Sequence, residues 1–138
     1  MEKNLIHSGI EKSAYSFPNK TAVVFRNQRI TYQELNKKAS VLANALRLKA
    51  PGEQIIGLST TRSIEMVIGM LAILKSGKAY LPIDPGYPDE RKTQIINISK
   101  IQFILADQSE ERTWKSQGLK RMDFGQENSE VSNIIQTS

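Results

Sequence analysis

The run QIIGLSTTRSIEMVIGMLAILKSGKAYLPIDPGYPDERKTQIINISKIQFILA, residues 54–106, decides the fold of this chain. Three stretches within it, QIIGLS (54–59), AYLPI (79–83) and IQFILA (101–106), are largely apolar runs of strand length. Strands covered on both faces read this way, because neither side of the pleat is left to water. Helical stretches lie between them. The first, from about Ser63 to Lys75, is apolar nearly all round through Ile64, Met66, Val67, Ile68, Met70, Leu71, Ile73 and Leu74, which predicts burial on several sides. Gly77 then supplies the left-handed position that ends such a helix. The second begins at Pro88-Asp89 and runs through Ile95, Ile96 and Ile98. A β-α-β-α-β order implies parallel strands with right-handed crossovers, an α/β fold built on part of a doubly wound sheet.

Upstream of that run, Ile6, Ile10, Ala14 and Phe17 recur at helical spacing, so a short amphipathic helix is expected to end before Pro18. AVVF (22–25) and RITY (29–32) form a predicted hairpin with Asn27 and Gln28 at its turn. Thr31 and Glu34 make the Thr-x-x-Glu pattern of a capping box, followed by a helix whose buried face is Leu35, Ala39, Leu42 and Leu46. Pro51-Gly52 closes that unit. Downstream, apolar density falls after Asp107. The chain therefore divides into residues 1–107 and a polar, weakly structured tail, 108–138, in which Trp114, Leu119, Met122, Phe124 and Ile134-Ile135 are scattered. A short strand within Leu119 to Phe124 is the one element the pattern allows there.

Composition narrows the chemistry. The 138 residues are 39% hydrophobic and 24% charged, ordinary values for one globular unit or part of one. With no cysteine and a single histidine, His7, the chain has neither thiolate metal ligands nor the members of a nucleophilic triad. The net charge of +5 comes from scattered pairs such as Lys37-Lys38, Arg91-Lys92 and Lys120-Arg121 with acids between them. That distribution suits a solvated surface and gives no reason to expect a nucleic-acid partner. The N-terminal residues carry no apolar run of signal-peptide length, and the apolar segment from Ile64 to Leu74 is too short to span a bilayer. A cytoplasmic protein with no membrane partner is expected.

Candidate site residues are few. Thr60, Thr61, Arg62 and Ser63 stand where a strand hands over to a helix N-terminus, so they either bind an anion or cap the helix with their hydroxyls. Asp84 and Asp89 flank the turn PGYP, where turn and cap chemistry account for them better than Mg²⁺ ligation or acid–base work. Tyr80 and Tyr87 are placed for packing at the strand-to-loop corner rather than for stacking on a base. The eight glycines are isolated from one another, and no phosphate-wrapping loop is present. Catalytic, cofactor-binding and metal-ligating residues are accordingly all assigned as none.

Two segments carry a family resemblance. ITYQELNKKASVLANAL and LKSGKAYLPIDPGYPDERKTQII resemble the first two core motifs of the adenylation domains of nonribosomal peptide synthetases. Thr31, Tyr32, Glu34 and Leu35 match the first. Leu74, Lys75, Gly77, Ala79, Tyr80, Pro82, Asp84, Pro85, Tyr87 and Pro88 match the second in register. The resemblance covers about residues 5 to 107 and implies that 1–107 is the N-terminal part of the large adenylation subdomain, with 108–138 a tail of the same subdomain. It further implies a complete enzyme that joins an amino-acid carboxylate to the α-phosphate of ATP with Mg²⁺. The aminoacyl group then passes to the phosphopantetheine thiol of a carrier protein, with a condensation domain as a further partner. In the family, the phosphate loop, amino-acid pocket and catalytic lysine follow the second motif. This chain contains none of them, so the fragment is expected to be inactive alone and to self-associate or dock to the remainder of the domain. A split or remnant subunit, or a fragment of an acyl- or aryl-acid-activating ligase, is the alternative reading.

Overall fold

A computed structural model describes residues 5–125, with side chains from residue 8 onward. The side chain of His7 and the Ile134-Ile135 pair lie outside the described residues.

Helix α1 (Leu5–Ser16) stops short of Pro18 and is followed by the hairpin of β1 (Thr21–Phe25) and β2 (Gln28–Thr31). Phe25 pairs with Gln28, so the two turn residues are Arg26 and Asn27, one position earlier than the sequence predicts. Arg26 takes the left-handed conformation, φ 56°, that one of the tight-turn positions requires. Tyr32 belongs to no strand; it opens α2 (Tyr32–Lys49). The capping box forms as expected. Glu34 N donates to Thr31 Oγ1 at 3.2 Å, and Thr31 N donates to Glu34 Oε1 at 3.0 Å. Leu35, Ala39, Leu42, Ala43 and Leu46 are the buried face of this helix.

Strands β3 (Ile55–Ser59), β4 (Ala79–Pro82), β5 (Phe103–Ala106) and β6 (Lys120–Met122) form one sheet in the order β4-β3-β5-β6. Every neighbouring pair is parallel. The crossovers are α3 (Ser63–Lys75), α4 (Asp89–Ser99) and, after a 3-10 turn at Gln108–Glu110, α5 (Glu111–Ser116). Strand alternation sends Ile56, Leu58, Leu105 and Met122 into a core shared with α2 and α3. Ile104 and Ala106 point the other way, into a second core with Ile83, Ile96, Ile101, Trp114 and Leu119. Helices thus cover both faces, which is why the strands read as apolar runs rather than as alternating ones.

Helix α3 has no exposed residue between Ser63 and Lys75, in keeping with its all-round apolarity. Its end is a complete Schellman closure: Gly77 N donates to Leu74 O and Lys78 N to Ile73 O, both at 3.0 Å, with Gly77 at φ 82°. Helix α4 begins after Pro88 and runs through Ile95, Ile96 and Ile98 as expected, with Ile96 buried and Ile98 exposed.

Residues 108–125 are more ordered than their low apolar density predicts. Trp114 is fully buried in the second core with Leu119, while Met122 and Phe124 are buried in the first. Removing a buried Trp generally costs about 3–5 kcal/mol. Arg121 completes the join. Its guanidinium donates to Ala106 O at 2.8 Å and pairs with Glu111 and Asp123. Burial disfavours that charge, but the two carboxylates outweigh it and the pKa of Arg121 is raised. Among the described residues no helix is long and apolar enough to cross a membrane.

The capping box makes stability depend on pH. The hydrogen bond from the Thr31 amide, and then that from its hydroxyl, lower the Glu34 pKa from 4.5. A lowered folded-state value means the contribution is complete above the ordinary carboxylate pKa and is lost as pH falls through the lowered one. Urea titrations of wild type and Glu34→Ala are therefore expected to show a stability gap at pH 7 that narrows as pH falls below the ordinary carboxylate pKa. Thr31→Ala is expected to cost about 0.5–2 kcal/mol at pH 7. A gap independent of pH would contradict the assignment.

Candidate functional site at the carboxyl edge of the sheet

The chain leaves β3 toward β4 on one side, and leaves β5 toward β6 on the other. The gap between the carboxyl ends of β3 and β5 is therefore the topological switch point, where open α/β sheets place their ligands. Thr60 follows β3 there and Asp107 follows β5. Thr60, only 5% exposed, directs Oγ1 at the Asp107 carboxylate, 3.0 Å from Oδ2 and 3.2 Å from Oδ1. The same oxygen accepts the Arg62 amide at 3.1 Å. Arg62 is the N-cap residue of α3 and contributes no side-chain cap; its guanidinium reaches Glu65 at 3.3 Å instead.

Electrostatically, the positive end of α3 is already met by the protein's own anions. Glu65 sits in its first turn and Asp107 is tied to it through Thr60. Around Thr60 to Ser63 the structure places the Arg62–Glu65 ion pair and the Thr60–Asp107 hydrogen bond, and no side chain caps the first turn of α3. The structure brings Thr60 and Arg62 together with Asp107, while Thr61 remains exposed. Asp107 was not singled out from sequence. The usable signal is positional, since it is the first polar residue after a buried strand of a parallel sheet.

The remaining candidates resolve into corner chemistry. The Asp84 carboxylate accepts Gly86 N at 2.8 Å, and Asp84 O accepts Tyr87 N at 3.0 Å, which folds the PGYP turn. Asp89 is the first residue of α4. Tyr80 packs on the first core and Tyr87 on the second, with the Arg91 guanidinium 4.8 Å from the Tyr87 ring centre. Lys78 is a buried cation that Ala50 O and Glu53 O neutralise in part, at 2.7 and 2.6 Å, so it caps the end of α2 from a neighbouring loop. Lys75 pairs with Glu11 at 3.0 Å and holds α1 on α3.

The glycines of this region serve packing and chain reversal. Gly57 and Gly69 are occupied by close packing, with a Cβ at Gly69 coming within 2.7 Å of Leu58 Cδ1, and Gly77 by a helix end. No group of three or more histidine, cysteine, aspartate or glutamate side chains converges on a cation position among the described residues.

The chain matches the family described as AMP-binding enzyme over residues 10–137. Bacitracin synthase 1 of Bacillus licheniformis is 40% identical over 96% of this chain, which spans 3% of that protein. Tyrocidine synthase 2 of Brevibacillus parabrevis is 54% identical over 59% of the chain, which spans 2% of it. Among solved structures, the nonribosomal peptide synthetase FmoA3, bound to α-methyl-L-serine-AMP, aligns over 88% of this chain and 14% of its own with a TM-score of 0.79 at 24% identity. The N-terminal subdomain of Klebsiella oxytoca NpsA aligns over 93% of this chain and 32% of its own, TM-score 0.72, at 20% identity. At these identities the two structures establish the fold alone.

A double-mutant cycle checks the Thr60–Asp107 link. Thr60→Val and Asp107→Ala are each expected to destabilise by about 1–3 kcal/mol, with a coupling of about 0.5–3 kcal/mol between them in urea denaturation. Additive effects would show that the two side chains do not act as a pair.

Proposed function

Because this chain belongs to the AMP-binding enzyme family, as an N-terminal portion of a nonribosomal peptide synthetase adenylation domain, we propose that it is the scaffold onto which the amino-acid-activating site of that domain is assembled. The complete domain activates an amino acid with ATP and Mg²⁺ and passes it to a carrier-protein thiol, beside a condensation domain, in the cytoplasm. The single observation that carries this reading is the 40% identity to a peptide synthetase over nearly the whole chain. Two properties of the molecule support it. The motif residues Thr31, Glu34, Lys75, Gly77 and Asp84 all fix helix ends and corners. The switch point is closed by Thr60 and Asp107 and offers no phosphate cradle. Positioning and electrostatic preorganisation then have to come from residues outside this chain.

The test is a chimera in which this chain replaces the matching segment of its relative at 40% identity. Amino-acid-dependent ATP–pyrophosphate exchange is expected to survive with the host's amino-acid preference, because a scaffold segment carries no pocket. This chain alone is expected to give no exchange above a no-enzyme control. A soluble, folded chimera without exchange, a changed amino-acid preference, or exchange by the chain alone would each overturn the reading.

A further inference from the structure

The described residues contain two sheets, and their edge strands differ in how they are protected against pairing. Edge strands are ordinarily blunted by proline, charge, shortness or a bulge, since an unprotected one recruits another strand. In the four-stranded sheet, β4 carries Pro82, which has no amide hydrogen, and β6 is only Lys120–Met122 with two cations. In the hairpin, β2 presents Gln28 and Arg29 to solvent. Strand β1, TAVVF, has neither charge nor proline. Its register irregularity lies between Thr21 and Val23, which leaves the regular end at Val23–Phe25. Val24 is 59% and Phe25 39% exposed, large apolar side chains on a strand with an unpaired edge. Ala22 and Val23 pack on the first core, so the hairpin is anchored while this end is uncovered. A two-stranded ribbon is marginal without a third strand.

Charge says what the third strand carries. Between Glu11 and Glu34 the sequence has no acidic residue, while Lys20, Arg26 and Arg29 lie along the hairpin. Lys20 stands 4.6 Å from the Phe17 ring centre and Arg26 5.2 Å from that of Phe25, and Arg29 is the cross-strand partner of Val24. No carboxylate of the described residues forms an ion pair with any of the three. An incoming strand that buries Val24 and Phe25 must set carboxylates against these cations, or bring them out of water unpaired.

We propose that β1 is an interior strand of the complete domain, paired along its open edge by an extended, carboxylate-bearing segment of the remainder of the adenylation domain, which covers Val24 and Phe25. This rests on the scaffold reading above; the matched NpsA subdomain, of which the chain spans 32%, has ample further polypeptide to supply such a segment.

Hydrogen–deuterium exchange on the chimera and on this chain alone tests it. Amides of residues 21–25 are expected to exchange at least about tenfold more slowly in the chimera. Reversing Lys20, Arg26 and Arg29 together to Glu is expected to remove that protection in the chimera while the chain alone stays folded by far-UV circular dichroism. Equal exchange rates in the two proteins would overturn the proposal, and so would protection of β1 that appears in the chain alone as its concentration rises, which would make the occupant a second copy. Pyrophosphate exchange by the same chimera reports separately on the scaffold reading. Loss of that activity with β1 protected would count against the function and support this strand pairing; activity with β1 unprotected would do the reverse.

Discussion

Strand β3 is buried from Ile56 to Ser59, and the rest of the structure depends on that burial. It is paired with β4 on one edge and β5 on the other; Ile56 and Leu58 lie in the core shared with α2 and α3, and Gly57 on the other face lies against Ile101 and Ile104. The covering layers approach to the limit of side-chain size: a Cβ at Gly57 would meet Ile101 Cδ1 at 2.9 Å, and one at Gly69 of α3 would meet Leu58 Cδ1 at 2.7 Å. Polar groups are consequently tolerated only where β3 ends, at Ser59 and Thr60. The Thr60 hydroxyl donates to Asp107 and accepts the amide of Arg62, the residue before α3, which ties the two neighbouring strand ends together.

Function follows from what this leaves over. The usual ligand position of an open parallel sheet holds an internal hydroxyl–carboxylate contact here, beside the Arg62–Glu65 ion pair at the start of α3. The chain supplies rigid corners instead. Gly77 turns α3 back toward β4, Lys78 ties that turn to the end of α2, and the Asp84 carboxylate folds the loop into α4. Each device is local, and together they present one sheet edge and one hairpin to whatever completes the domain.

Much of this was legible in the sequence, for identifiable reasons. Parallel strands buried on both faces are the easiest to read, because 54–59, 79–83 and 101–106 lack alternation. The capping box and Gly77 are equally plain, since each signal names the atoms that it satisfies. The hairpin turn was misplaced by one residue because Arg26, without glycine's freedom, adopts a positive φ. Residues 108–125 are harder to read because their buried apolar residues, Trp114, Leu119, Met122 and Phe124, are few and irregularly spaced. Thr60 was found and Asp107 was not, since their contact joins positions 47 apart in the chain and no local pattern records it. Arg121, which the sequence places in a solvated surface pair with Lys120, is instead a nearly buried ion-pair centre, because its partners Ala106, Glu111 and Asp123 converge only once β6 is laid beside β5.

The central claim is that these residues build the platform of an AMP-binding domain without holding its nucleotide. The most direct measurement is a backbone NMR titration of this chain with ATP and Mg²⁺, following the amides of Thr60 to Ser63 and Asp107. The account predicts no saturable shift at those positions up to millimolar nucleotide. Saturable shifts centred on them, lost in Thr60→Val, would contradict it, and would make the switch point a nucleotide site rather than a closed corner of the scaffold.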